Sequence, residues 1–133
     1  MDMGTKAAHL RPPAPLRVYI AGPYSAATEK ERVANVQVAI DAGIEVYRKG
    51  HFPFIPHLTH YVDLRSVQLG AGLEWKDYIE WDLEWLKCCD AILFLGSSRG
   101  ADIELRAARS FGLLVFGTVD EVPPANRKVV TAE

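Results

Sequence analysis

Ala91-Ile92-Leu93-Phe94-Leu95-Gly96-Ser97-Ser98-Arg99-Gly100-Ala101-Asp102-Ile103-Glu104 runs from an apolar stretch through a glycine turn into a helical pattern. The apolar run reads as a strand, and the turn at Gly100 opens a helix predicted to reach about Phe111. At about 100° per residue, Ala101, Ala107, Ala108 and Phe111 cluster around Glu104, while Asp102, Arg106 and Arg109 point the other way. Glu104 therefore projects from an apolar face, where an unpaired carboxylate is costly unless protonated, hydrogen-bonded or used. Glutamate in a first helical turn also complements the helix dipole. Position alone leaves both readings of Glu104 open.

The same alternation extends outward. Arg17-Val18-Tyr19-Ile20-Ala21 is a β-rich run stopped by Gly22-Pro23. Thr28-Glu29-Lys30-Glu31 is a capping box, and the helix it starts carries Val33, Val36, Ile40, Ile44 and Tyr47 before Gly50 ends it. Phe52–Ile55 is a second strand, interrupted by Pro53 and ended by Pro56. Residues 57–72 have no clear period and contain Gly70-Ala71-Gly72, so they read as a long loop. Residues 73–89 read as a helix whose apolar face holds Trp75, Tyr78, Ile79, Leu86 and Cys89, with Asp82 in its middle. Leu113–Gly117 is a fourth strand.

Strands alternating with helices predict an α/β fold, a Rossmann-like (flavodoxin-like) three-layer sandwich around a four- to five-stranded parallel sheet. In such sheets sites lie beyond the carboxyl ends of the strands. Loops 22–25, 56–60 and 96–100 then converge on one crevice, with Glu104 one turn below its rim. The predicted body is one domain over residues 16–122, flanked by a proline-bearing N-terminal tail, 1–15, and a C-terminal tail, 123–133.

Composition narrows the function classes. The chain has 133 residues, 49% hydrophobic and 24% charged, which is an ordinary globular balance with length enough for a core. A formal charge of −2 gives no electrostatic footprint for DNA or RNA, so polymeric nucleic acid is not an expected partner. No apolar stretch approaches the roughly 20 residues that span a membrane. Residues 1–15 lack the apolar core of a signal peptide. The adjacent Cys88 and Cys89 make a poor disulfide and no recognised metal spacing, so a reducing cytoplasm is expected.

Ser97-Ser98-Arg99-Gly100 precedes a helix N-terminus, where N–H groups, hydroxyls and the dipole favour an anion such as phosphate. Ser98 serving only as a helix cap fits equally well. The Gly22-Pro23-Tyr24-Ser25 loop lacks the dinucleotide glycine signature and a Walker lysine, so NAD and ATP are disfavoured and no cofactor is expected. His57 and His60 have metal-like spacing only on a helix with further ligands, and Pro56 argues against one, so no metal is expected. No nucleophile elbow is present. Tyr19 faces opposite to Val18 and Ile20, either toward the crevice or into a core.

Val18-Tyr19-Ile20-Ala21-Gly22, Asp82-Leu83-Glu84-Trp85-Leu86-Lys87-Cys88-Cys89-Asp90 and Ser98-x-Gly100-x-x-x-Glu104 together resemble the nucleoside 2-deoxyribosyltransferase superfamily. The pattern is nearest to its nucleotide N-glycoside hydrolases, such as 2′-deoxynucleoside 5′-phosphate N-hydrolase. The resemblance implies that Glu104 is a nucleophile toward the anomeric carbon and that Tyr19 hydrogen-bonds it. Asp82 would handle the proton at the leaving base. Gly22, Ser25, His57, Ser98, Arg99 and Gly100 would bind substrate, His57 at the base and Ser98 at a 5′-phosphate. A serine at position 98 matches the nucleotide hydrolases, whereas the transferases typically carry aspartate there. The first loop has Pro23-Tyr24-Ser25 where several such hydrolases place an arginine. The expected partner is a small nucleotide or nucleoside, and the family's oligomers imply a homodimer or larger homo-oligomer, with Trp81 and Trp85 at the contact. A base-exchanging deoxyribosyltransferase and a non-catalytic nucleotide sensor are the alternatives.

Overall fold

The computed structural model describes residues 12–129. Its strands are β1 (Arg17–Ala21), β2 (Phe52–Phe54), β3 (Ala91–Phe94) and β4 (Leu114–Phe116), and its helices are α1 (Glu29–Arg48), α2 (Thr59–Gln68), α3 (Trp75–Leu86) and α4 (Arg99–Ser110). The four strands form one sheet in the order β2-β1-β3-β4, and every pairing is parallel. This is the expected α/β, Rossmann-like sandwich, with four strands among the described residues. The strand order reverses between β1 and β3, which is where such sheets open a binding crevice.

Side-chain alternation along the strands divides the core into two layers. Val18, Ile20, Ala91 and Leu93 pack with Ala39, Ala42 and Val46 of α1 on one face. Tyr19, Ala21 and Ile92 pack with Leu86 and Ala108 of α3 and α4 on the other. Tyr19, Ile20, Leu86, Ile92 and Leu93 are fully buried, each apolar side chain contributing about 1.5–3 kcal/mol. Helix α1 begins as its sequence dictates: Thr28 accepts from the Glu31 N–H at 3.1 Å while the Glu31 carboxylate accepts from the Thr28 N–H at 3.2 Å. At its far end Gly50 takes φ 99°, a left-handed conformation that favours glycine.

Several expectations are corrected. Residues 57–72 are not a long loop: a 3-10 turn over Pro56–Leu58 runs into α2. Pro56 occupies the start of that turn, where its missing N–H has no helical role. The helix expected over 73–89 is trimmed to Trp75–Leu86, starting after Glu74, whose N–H donates to the Asp77 carboxylate at 2.8 Å. Most of the N-terminal tail, residues 1–11, lies outside the described residues. Residues 123–129 carry no helix or strand and are held against the body. His51, fully buried, accepts from the Leu16 N–H at Nδ1 (3.0 Å), so its Nε2–H donates to the Pro123 carbonyl (2.6 Å). The Ala125 N–H donates to the Lys49 carbonyl at 2.8 Å, and Arg127 lies over the rings of Phe52 and Tyr47.

Candidate functional site

One cavity of about 480 Å³ opens at the carboxyl ends of the strands, within the size range of small-molecule sites. It is lined by Gly22, Ser25, His57, Asp82, Ser98, Arg99, Gly100 and Glu104, which are eight of the nine residues expected from sequence. The ninth, Tyr19, lies beneath it. The Tyr19 ring is fully buried in β1, and its Oη donates to Glu104 Oε2 at 2.5 Å.

Glu104 reaches the cavity because α4 places Ala101, Glu104 and Ala108 on its buried face. Asp82 arrives from α3, on the same side as Leu86. The two carboxylates are 6% and 7% exposed, and neither has a cation within salt-bridge distance among the described residues. Burial therefore dominates their titration. It lifts Glu104 from 4.5 to about 8, while the Tyr19 hydroxyl pulls it down and the charge of Asp82 pushes it up. Burial alone lifts Asp82 from 3.8 to about 7. Asp82 Oδ1 has no hydrogen-bond partner among the described residues.

Two neighbouring buried carboxylates disfavour a double negative charge, so the pair titrates as a unit. Burial and the two carboxylates push Tyr19 well above its ordinary range, which leaves it a donor. The Tyr19 donor offsets part of the rise at Glu104, which lowers the cost of placing the pair's single negative charge there. The arrangement can present one carboxylate as a nucleophile and the other as an acid.

The start of α4, also on the cavity wall, carries the means to hold an anion. Ser98 caps α4, its Oγ accepting from the Ala101 N–H at 3.1 Å, which leaves its hydroxyl proton free to donate. Arg99 stacks on Trp75, with Cζ 4.3 Å from the ring centre, and has no carboxylate partner among the described residues. Trp75 thus directs a guanidinium at a rim already supplied with helix N–H groups.

The two histidines part company. His57 donates Nε2–H to the carbonyls of Gly22 and Pro23, at 3.1 and 3.2 Å, and burial lowers its pKa. His60 instead lies between Tyr24 and Glu29. Among the described residues no group of three or more His, Cys, Asp or Glu is placed to hold a metal ion. Cys88 and Cys89 are both free, and burial pushes Cys89 up to about 11. No described helix is long and apolar enough to cross a membrane.

Sequence reasoning missed Asp63 and Tyr78, and it did not single out Tyr24, Thr59 and His60 within the loops it placed at the crevice; all five also line the cavity. The available signal was the His57–His60 spacing, which marks one turn of the helical segment that delivers Thr59, His60 and Asp63. Residues 16–117 match the model of a family described as a domain of unknown function, DUF4406. No curated protein matches the chain.

Proposed function

The chain belongs to the DUF4406 domain family, and from the geometry of its site we propose that it is an N-glycosidase acting on a nucleoside 5′-monophosphate. The observation that carries the reading is the buried Tyr19–Glu104 hydrogen bond with Asp82 alongside, on the wall of a nucleotide-sized cavity. The sequence resemblance to nucleotide N-glycoside hydrolases supports it independently.

In this mechanism the Glu104 carboxylate attacks the anomeric carbon. The carbon–nitrogen bond breaks, and its electron pair leaves with the base, which takes the proton held by Asp82. The positive charge that develops on the sugar in the transition state is stabilised by the Glu104 anion. Asp82, now ionised, removes a proton from water as that water attacks the glycosyl–Glu104 ester, releasing the sugar phosphate and restoring both carboxyl groups. Tyr19 holds Glu104 in its attacking orientation throughout. Ser98, Arg99 and the α4 N-terminus bind the 5′-phosphate. Exposed Trp81 and Trp85, beside each other on α3, form part of a contact with a second copy under the same reading.

A panel of ribo- and deoxyribonucleoside 5′-monophosphates, with chromatography for free base, tests the proposal. Base released without an acceptor, and lost in Glu104→Ala, supports it. Base exchange only in the presence of a second base makes the protein a transferase. Nucleotide binding with neither reaction makes it a sensor.

A further inference from the structure

On the β2 side of the cavity, the polar groups have already committed their protons. Tyr24 Oη lies 2.7 Å from His60 Nδ1, and His60 Nε2 lies 3.0 Å from Glu29 Oε2. A carboxylate at Nε2 demands an N–H there, so with one proton on the ring Nδ1 is a bare acceptor. Tyr24 must then donate to His60, and its oxygen keeps only lone pairs for a ligand. Glu29 is held for this task by Arg32, whose Nε donates to the other carboxylate oxygen at 3.2 Å.

Similar accounting covers the neighbouring groups. Tyr78 spends its hydroxyl proton on Asp63 Oδ1 at 3.0 Å, and an ionised Asp63 has no proton to offer. His57 spends its Nε2–H on two backbone carbonyls, and its buried Nδ1 has no partner among the described residues. Tyr24, His57, Asp63 and Tyr78 all line the cavity. Together they make an acceptor wall. Ser98 and Arg99, reached from β3 on the far side of β1, are donors. A ligand whose phosphate lies at the donors and whose reacting carbon lies at Glu104 extends its leaving group toward the acceptors.

We propose that this acceptor wall reads an exocyclic amino group on the leaving base, with Glu29 and His60 as positioning residues that fix the polarity of Tyr24. The protein would thereby prefer an amino-bearing base to its oxo counterpart. The identification of the ligand as a nucleotide rests on the N-glycosidase reading. An oxo group would set its lone pairs against those of Tyr24 and Asp63, so the wall would remain unpaired when water is displaced.

The test compares cytidine with uridine 5′-monophosphate and adenosine with inosine 5′-monophosphate, each as ribo and deoxy forms. Both Kd and kcat/KM are measured on the intact protein, on Tyr24→Phe and on Glu29→Gln. The wild type is expected to favour the amino member by roughly 10- to 100-fold. Tyr24→Phe should reduce that ratio by removing an acceptor. Glu29→Gln should reduce it from a distance, because an amide no longer compels the imidazole proton to stay at Nε2. The nitrogen resonances of His60 report that tautomer directly. A wild-type ratio near one overturns the proposal, as does a preference that neither variant changes. Variants that alter only the ribose-to-deoxyribose ratio also overturn it, since the donor read would then be a sugar hydroxyl. Amino-selective binding without base release leaves the wall standing and sinks the glycosidase, while base release blind to the amino group does the reverse.

Discussion

Replacing Glu104 with glutamine removes one member of the buried carboxylate pair while keeping its shape and its ability to accept from Tyr19. The wild-type residue has a folded pKa of about 8 against an ordinary value of 4.5. A carboxyl group raised on folding holds its proton more tightly in the native state. Its contribution to stability is therefore fully present below the unfolded pKa and is lost as pH climbs to the folded one. For Glu104 that window runs from 4.5 to about 8. At about 1.4 kcal/mol per pH unit, the window spans roughly 5 kcal/mol. Part of that rise comes from the charge of Asp82, so about 3–5 kcal/mol is the expected loss for Glu104 itself. Glutamine has no proton to lose. Urea unfolding of both proteins from about pH 5 to about pH 9 should show Glu104→Gln gaining on the wild type by this amount, with most of the change between about pH 5 and 8. Parallel profiles would refute the idea that burial raises this carboxylate.

Other substitutions probe the rest of the site and the packing that supports it. Ser98→Asp sets a carboxylate at the anion-binding rim and should lower kcat/KM for monophosphates roughly tenfold more than for nucleosides; equal losses would reduce Ser98 to a helix cap. Tyr19→Phe removes the donor that pulls Glu104 down, so the acidic limb of the pH–rate profile should move to higher pH. A limb that stays in place would mean that Glu104 is not the group titrating there. Gly43→Ala would bring a Cβ to 2.5 Å from Ile55 Cδ1, and such overpacking should cost about 1–3 kcal/mol in thermal or urea unfolding. An unchanged midpoint would show that the side chain of Ile55 yields.

Strands β1 and β3, helix α1 with its capping box and helix α4 with its Ser98 cap were all legible. In each, local preference and burial pattern point to the same element. The two carboxylates were legible for the opposite reason, because each breaks an apolar stripe. Helix α2 was hidden. Its one buried residue is His60, while Tyr61, Val62, Leu64 and Val67 are 57%, 40%, 40% and 64% exposed. A helix that turns a polar edge toward a cavity has no apolar period to read. The chain Tyr24–His60–Glu29 was equally invisible, since its members come from a loop and two helices and meet only through the fold. Arg99 was visible as a charge, but its direction depends on Trp75, a residue 24 positions away in sequence.

Proline in β2 has a consequence for how this sheet meets others. Phe52 sends its N–H inward to the Leu16 carbonyl at 2.9 Å, so by alternation the nitrogen of Pro53 faces outward. That nitrogen carries no hydrogen, and in a strand of three residues it occupies the one outward donor position. The margin is further guarded by Arg127 lying over Phe52. At the opposite margin, Leu114 and Val115 of β4 are 53% and 39% exposed. The sheet thus has one border blunted by proline and one, at β4, whose side chains stay exposed. Run-on stacking of sheets needs two open borders. A proline at one position thereby denies this sheet strand-by-strand growth at its β2 border.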